Sequence, residues 1–264
     1  MRRAWWCSLA LVVVALSASC GSSSSSSSSS AAAASQGGTL NVFAAASLIN
    51  AFGTLKTTFQ QSHPGWKVNL TLAGSDQLAA QIEQGAPSDV FAAASPKYPQ
   101  QLQTDKKLGS TTNFATNTLV LVVPKSNPAH ITSVNDLKKG AKLVVADPAV
   151  PLGTYTETVL GNLGISDSQL NIVSKEQDAE SVLAKVTLGE ADAGFVYVTD
   201  ALSQRSKLKE IQLPAAAQAT AVYPIGIVTA TKNRRTAQQW IDLVTGPQGQ
   251  AVLRRYGFGP PPSS

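Results

Sequence analysis

Two serines stand where a folded chain can offer unpaired hydrogen-bond donors to an anion. In FAAASL, an apolar stretch through Leu40, Val42 and Phe43 ends in Ala44–Ala46 and Ser47, after which apolar residues recur every three to four positions. In LAGSDQLAAQIEQGAP the order returns: the small pair Ala73-Gly74, then Ser75, then a helical period. Serine directly before such a period belongs at a helix N-cap. The first turn of a helix carries amide N–H groups without intrahelical acceptors and the positive end of the dipole, a combination that suits oxyanions. The alanines and the glycine leave room for an ion to reach the main chain. One junction of this kind reads as ordinary capping; two in one half of the chain point to a shared oxyanion. Asp76 suits the first helical turn if it points away from the ion. Turned inward, it would repel a dianion but accept a proton from hydrogen phosphate.

Other chemistry has little to work with. The two histidines, His63 and His130, stand in loops marked by Pro64 and Pro128, and Asp136, Asp147, Asp192 and Asp200 are too scattered to pair as acid and base. No GxSxG, P-loop or HExxH segment occurs. The five tyrosines include no adjacent pair of the kind a ferric site uses, and the two cysteines, Cys7 and Cys20, both precede the folded part. The expectation is a binding protein without catalytic residues or a resident cofactor.

The elements that must position the serines alternate between strand and helix. Strands are expected at Leu40–Ala46, Trp66–Ala73, Asp89–Ala93, Thr118–Val123, Leu143–Ala146, Asn171–Val173, Ala193–Val198, Ile211–Leu213 and Tyr223–Thr229. Helices are expected at Leu48–Gln61, Ser75–Gln84, Pro99–Leu108, Val134–Lys139, from DPAVPLGT through Asn162, and at Ala179–Leu188, Ala237–Val244 and Gln248–Tyr256. This alternation predicts an α/β fold with mostly parallel sheets. The units fall into two groups, read as one lobe of residues 39–117 with 222–264 and an inserted lobe of residues 118–221. Open α/β sheets bind ligands beyond the C-terminal ends of their strands, so the cleft between lobes is the expected site.

The N-terminus reads as an export signal. Arg2 and Arg3 precede the apolar run Ala4–Leu16, too short to span a bilayer, and the run ends in LSASCG. Residues 1–19 are read as a signal peptide and residues 20–38, with the unbroken run Ser22–Ser30, as a flexible tether. Cys20 resembles the acylated cysteine of bacterial lipoproteins, with Ser17 where such segments usually carry leucine; an ordinary signal peptide with an incidental cysteine is the alternative. An acylated Cys20 would fix one end of the tether at the membrane. Without residues 1–19, lysines and arginines fall from 21 to 19 against 16 acids, a net charge of +3. That charge is too small and too scattered to argue for nucleic acid.

Taken together, FAAASL, GSDQLAAQIEQGAPSDVFAAAS, LVLVVP, ADPAVPLGTY, GEADAGFVYVTDA, YPIGIV and RRYGF resemble a bacterial molybdate-binding protein in order and approximate spacing, over nearly all of Thr39–Gly259. That family is the periplasmic or lipid-anchored receptor of a molybdate ABC importer. The resemblance implies a two-lobed periplasmic-binding-protein fold of type II with a cleft between lobes. It also implies a molybdate or tungstate ion held by neutral groups. Carried over by motif, these are Ser47, Ser75, the backbone N–H groups of Leu152 and Ala179, and the hydroxyl of Tyr197. By alternation alone, Tyr197 in FVYV would pass for a core aromatic. The implied partner is an inner-membrane permease, the receptor itself being a monomer on the outer face of the membrane or in the periplasm. A receptor for phosphate or sulfate, or an adhesive surface lipoprotein, stands as the alternative.

Overall fold

A computed structural model of the chain describes residues Gly37–Pro262; the signal segment, Cys20 and the serine run lie outside the described residues. Strand β1 (Gly38–Ala45) lies between β2 (Trp66–Ala73) and β3 (Val90–Ala92), parallel to both. Its alternation is decisive for burial: Leu40, Val42 and Ala44 are fully buried on one face. A 3-10 turn over Ala46–Leu48 leads into α1 (Ile49–Ser62), which turns Ala51, Phe52, Leu55 and Phe59 inward. Phe52 and Phe59 meet the edge of Trp240 at centroid distances of 5.5 and 5.6 Å, tying α1 to α7 (Arg234–Thr245). On the opposite face, α2 (Ser75–Glu83) and α3 (Lys97–Thr104) close a second cluster with Leu78, Ile82 and Leu102 against Phe43 and Phe91.

The 17-residue strand β4 (Leu108–Pro124) connects two groups of strands. Its first part, through Thr118, pairs antiparallel with β9 (Thr220–Val228), and β9 pairs with β3. Its second part pairs antiparallel with β7 (Ala193–Tyr197) on one side and β8 (Leu208–Ile211) on the other. Beyond β7, strand β5 (Lys142–Ala146) runs parallel to both β7 and β6 (Asn171–Glu176). The full order is β2-β1-β3-β9-β4-β7-β5-β6, with β8 joined to β4. Helices α4 (Pro151–Asn162) and α5 (Ala179–Thr187) follow β5 and β6, α6 (Val198–Ser203) follows β7, and α8 (Pro247–Arg255) closes the chain. Among the described residues, no helix is long and apolar enough to cross a membrane.

Three expectations from sequence are corrected. The helix expected to reach Leu108 stops at Thr104, because Lys106 adopts a φ of 56° and Leu108 already belongs to β4. The added strand, GSTTN within it, lacks an apolar signal; pairing with β9 rather than its own side chains makes it a strand. The strand expected to include Val198 ends at Tyr197, and the short α6 begins there. The strand expected at Ile211–Leu213 is β8 at Leu208–Ile211, with Lys209 and Glu210 exposed.

The buried carboxylate of Asp89 pins this frame. It accepts the backbone N–H of Asn41 in β1 at 2.7 Å, the hydroxyl of Thr231, and Nδ2 of Asn233 at 3.2 and 3.3 Å, joining β1 and β3 to the turn before α7. Asp89→Ala would leave those half-buried donors unpaired. It is predicted to destabilise the fold by about 2–4 kcal/mol in urea unfolding, with an unchanged m-value.

Candidate functional site

The C-terminal ends of β1, β2, β3, β5, β6 and β7 all face one small cavity. It is lined by Ala45–Ser47, Ala73–Ser75, Ala94, Val150–Leu152, Asp178, Ala179 and Tyr197, and encloses about 230 Å³ of empty space including its mouth. All five residues singled out from the sequence, Ser47, Ser75, Leu152, Ala179 and Tyr197, are brought together there. No lysine or arginine stands among the lining residues.

Neither serine is an N-cap. Ala45 caps the 3-10 turn and Gly74 caps α2, so Ser47 lies inside the turn and Ser75 is the first helical residue. The helical turns begin earlier than capping by serine would require, by one residue at Ser75 and by two at Ser47, so both hydroxyls take other partners. Ser75 Oγ accepts the backbone N–H of Ala94 at 3.1 Å, and Ser47 Oγ lies 2.9 Å from the hydroxyl of Tyr223. Leu152 is the second residue of α4 after Pro151, and Ala179 is the first of α5. Ser75, Leu152 and Ala179 thus all stand in first turns, where the amide N–H has no acceptor within its own helix. Three helix N-termini and one 3-10 turn converge on one cavity, their dipoles summing to a positive field without a lysine or arginine in the lining.

Residues 40–259 match the family of bacterial extracellular solute-binding proteins. The chain belongs to that family. A molybdate-binding protein ModA from Mycobacterium tuberculosis is 42% identical over 222 residues, covering 83% of this chain and 84% of the relative. The ModA of Escherichia coli is 34% identical over 231 residues, covering 84% and 89%. Among solved structures, the periplasmic molybdate-binding protein of Azotobacter vinelandii superposes with a TM-score of 0.75 at 25% identity, covering 84% of this chain and all of that one. The fold is accordingly the two-lobed one of periplasmic binding proteins, and the relatives are solute-binding proteins rather than enzymes.

For a solute-binding protein, the small residues at the strand ends have a direct physical reason. A Cβ placed on Gly74 would lie 2.5 Å from the carbonyl oxygen of Gln177, in the β6–α5 loop, and 2.5 Å from Asp76 Oδ1. Only glycine lets the β2–α2 junction approach that loop. That approach is held by Gln77 Nε2 donating to Gln177 Oε1 at 2.6 Å, and a separate contact, the Tyr98 hydroxyl of α3 donating to the carbonyl of Ala149, ties α3 to the β5–α4 loop.

Tyr197 is 2% exposed, its hydroxyl has no hydrogen-bond partner among the described residues, and burial pushes its pKa well above the ordinary phenol value. It is therefore a neutral donor without an acceptor among the described residues, a cost that a bound oxygen in the cavity would relieve. Two carboxylates lie nearby. Asp178 lines the cavity, but its Oδ1 is engaged as the N-cap of α5, accepting Ser181 N–H at 2.7 Å. Asp76 is absent from the lining, and its Oδ1 is buried without a partner. Sequence reasoning missed Asp178 and Ala94 in the lining and Tyr223 behind Ser47. The N-cap pattern D-x-x-S before an apolar period could have marked Asp178, whereas nothing local marks the other two.

Burial, aided by the charge of Asp147, raises the pKa of Asp76 above the ordinary carboxylate range. A raised carboxyl favours the folded state below its ordinary pKa, and that contribution is lost as pH rises through the raised value. Asp76→Asn is predicted to raise the melting temperature by a few degrees at neutral pH. The gain should shrink as the pH approaches 4, measured by melts across pH.

Proposed function

We propose that the chain is an extracytoplasmic receptor that captures molybdate, and tungstate with it, in the cavity at the strand ends and delivers it to an ABC importer. The observation that carries this reading is the convergence of neutral donors: the Ser47, Ser75 and Tyr197 hydroxyls and the first-turn amides of Leu152 and Ala179 line one cavity. A tetrahedral dianion needs donors on every oxygen, and hydrogen bonds to an ionised acceptor contribute about 1.5–3 kcal/mol each. Those groups in concert offset much of the ion's dehydration. The ligand supplies no chemistry and the receptor needs no cofactor.

In this reading the lobes comprise residues 39–117 with 222–264 and residues 118–221. Ser47 and Ser75 sit on the first lobe, and Leu152, Ala179 and Tyr197 on the second. An ion touching both favours the closed form by differential contact. Acylation of Cys20, with the serine-rich stretch as a tether, would hold a monomeric receptor at the outer face of the membrane beside its permease.

Thermal melts with molybdate, tungstate, sulfate and phosphate test the reading. Molybdate at a thousandfold excess over Kd should stabilise by about 4 kcal/mol, on the order of 10 °C for a chain of this size. A shift with phosphate or sulfate and none with molybdate would overturn the specificity. Ser75→Ala should weaken molybdate binding by about 1–3 kcal/mol in calorimetric titration.

A further inference from the structure

Behind Ser47 lies a buried chain of polar side chains whose proton directions are fixed by geometry. Asn117, 3% exposed on β4 where its pairing passes from β9 to β7, accepts the N–H of Thr118 on Oδ1 at 3.0 Å. That contact sets the amide orientation, so Nδ2 is the donor on the other side. It donates to Thr199 Oγ1 at 2.9 Å and to the Tyr223 hydroxyl at 3.4 Å. Thr199 passes its own proton on toward Asp200 Oδ1 at 3.4 Å. Tyr223 is fully buried, and its hydroxyl has two partners among the described residues, Asn117 and Ser47.

Asn117 brings a proton to that hydroxyl, so among the described residues the tyrosine's own proton goes to Ser47 Oγ; the Tyr197 hydroxyl, on a ring 6.1 Å away by centroid, forms no hydrogen bond with it. The reverse order, Ser47 donating to Tyr223, would leave a buried O–H without any acceptor, which is costly. Burial holds the Tyr223 phenol far above its ordinary pKa, so the proton stays available at any working pH. With its lone pair occupied by Tyr223, Ser47 has its own proton to give, and Ser47 lines the cavity. Ser75 is polarised the same way by the N–H of Ala94.

We propose that Tyr223, oriented by Asn117, is the positioning residue that turns the Ser47 hydroxyl proton into the cavity and makes Ser47 an obligate donor to the bound oxyanion. This rests on the receptor reading above. Tyr223 touches no ligand; it acts through Ser47. The chain also links the cavity to the strand that joins the two sheet groups, so the direction of one proton depends on contacts from β4, β9 and α6.

A double-mutant cycle separates this role from a merely structural one. Molybdate binding is titrated to millimolar concentration in the parent, Tyr223→Phe, Ser47→Ala and the double variant. Tyr223→Phe is expected to weaken binding about three- to tenfold in the parent background. In the Ser47→Ala background it should cost less than about twofold, because the group it orients is gone. Equal losses in both backgrounds would assign Tyr223 to packing and overturn the proposal, as would no loss in the parent background. Complete loss in Ser47→Ala alone would also contradict it, since one donor in a cage of several carries only part of the affinity. Asn117→Ala, cycled against Ser47→Ala in the same way, reads the coupling if Tyr223→Phe does not fold. A parent that binds no molybdate would instead refute the receptor reading itself, so the two failures are distinguishable.

Discussion

A doubly charged oxyanion surrenders its water on entering a protein, and every oxygen left without a donor makes the transfer unfavourable. The architecture around the cavity follows from that constraint. Amide groups in the first turns of α2, α4 and α5, with the 3-10 turn before α1, supply donors whose direction is fixed by the backbone. Neutral donors differ from lysine or arginine in a useful way. A full charge attracts any anion at long range, whereas a set of oriented N–H and O–H groups rewards only an ion whose oxygens lie where the donors point.

Delivering so many helix starts to one place is a topological problem, and the sheet solves it. Strands β1, β2 and β3 run parallel, as do β5, β6 and β7, so each trio ends on the same side and its following turns gather there. The two trios are joined through β4 and β9, whose antiparallel pairing brings the strand ends of both onto one cavity. The small residues at those ends answer to distance rather than to packing alone. Gly74 stands where any side chain would collide with the Gln177 carbonyl, and Ala45, Ala46 and Ala73 leave the main chain uncovered toward the cavity.

Much of this was legible in the sequence. The βα alternation was carried by strong periods, such as Phe52, Leu55 and Phe59 on α1, because burial of one face imposes them. The serine junctions were legible as turns that belong together, and they do line one cavity, although the residues that cap them are Ala45 and Gly74, since a serine's type cannot tell N-cap from first helical turn. Leu152 and Ala179, which line the cavity, could be named only by resemblance, because a position that offers only its backbone leaves no mark on side-chain identity. The first half of β4 was invisible for a related reason: Ser110–Asn113 are held by pairing with β9, a long-range contact without a local signal. The same holds for Tyr223 and Asn117, which are 106 positions apart in the chain and meet only after the strands are in register.

The central claim is that an oxyanion sits, dehydrated, among neutral donors from both groups of strands. A crystal structure grown with molybdate or tungstate, phased by the metal's anomalous signal, measures this directly. One strong peak is expected in the cavity, with ligand oxygens within hydrogen-bond reach of the Ser47, Ser75 and Tyr197 hydroxyls and the amides of Leu152 and Ala179. A peak elsewhere, or an ion in this cavity still wrapped in its own water shell, would contradict it.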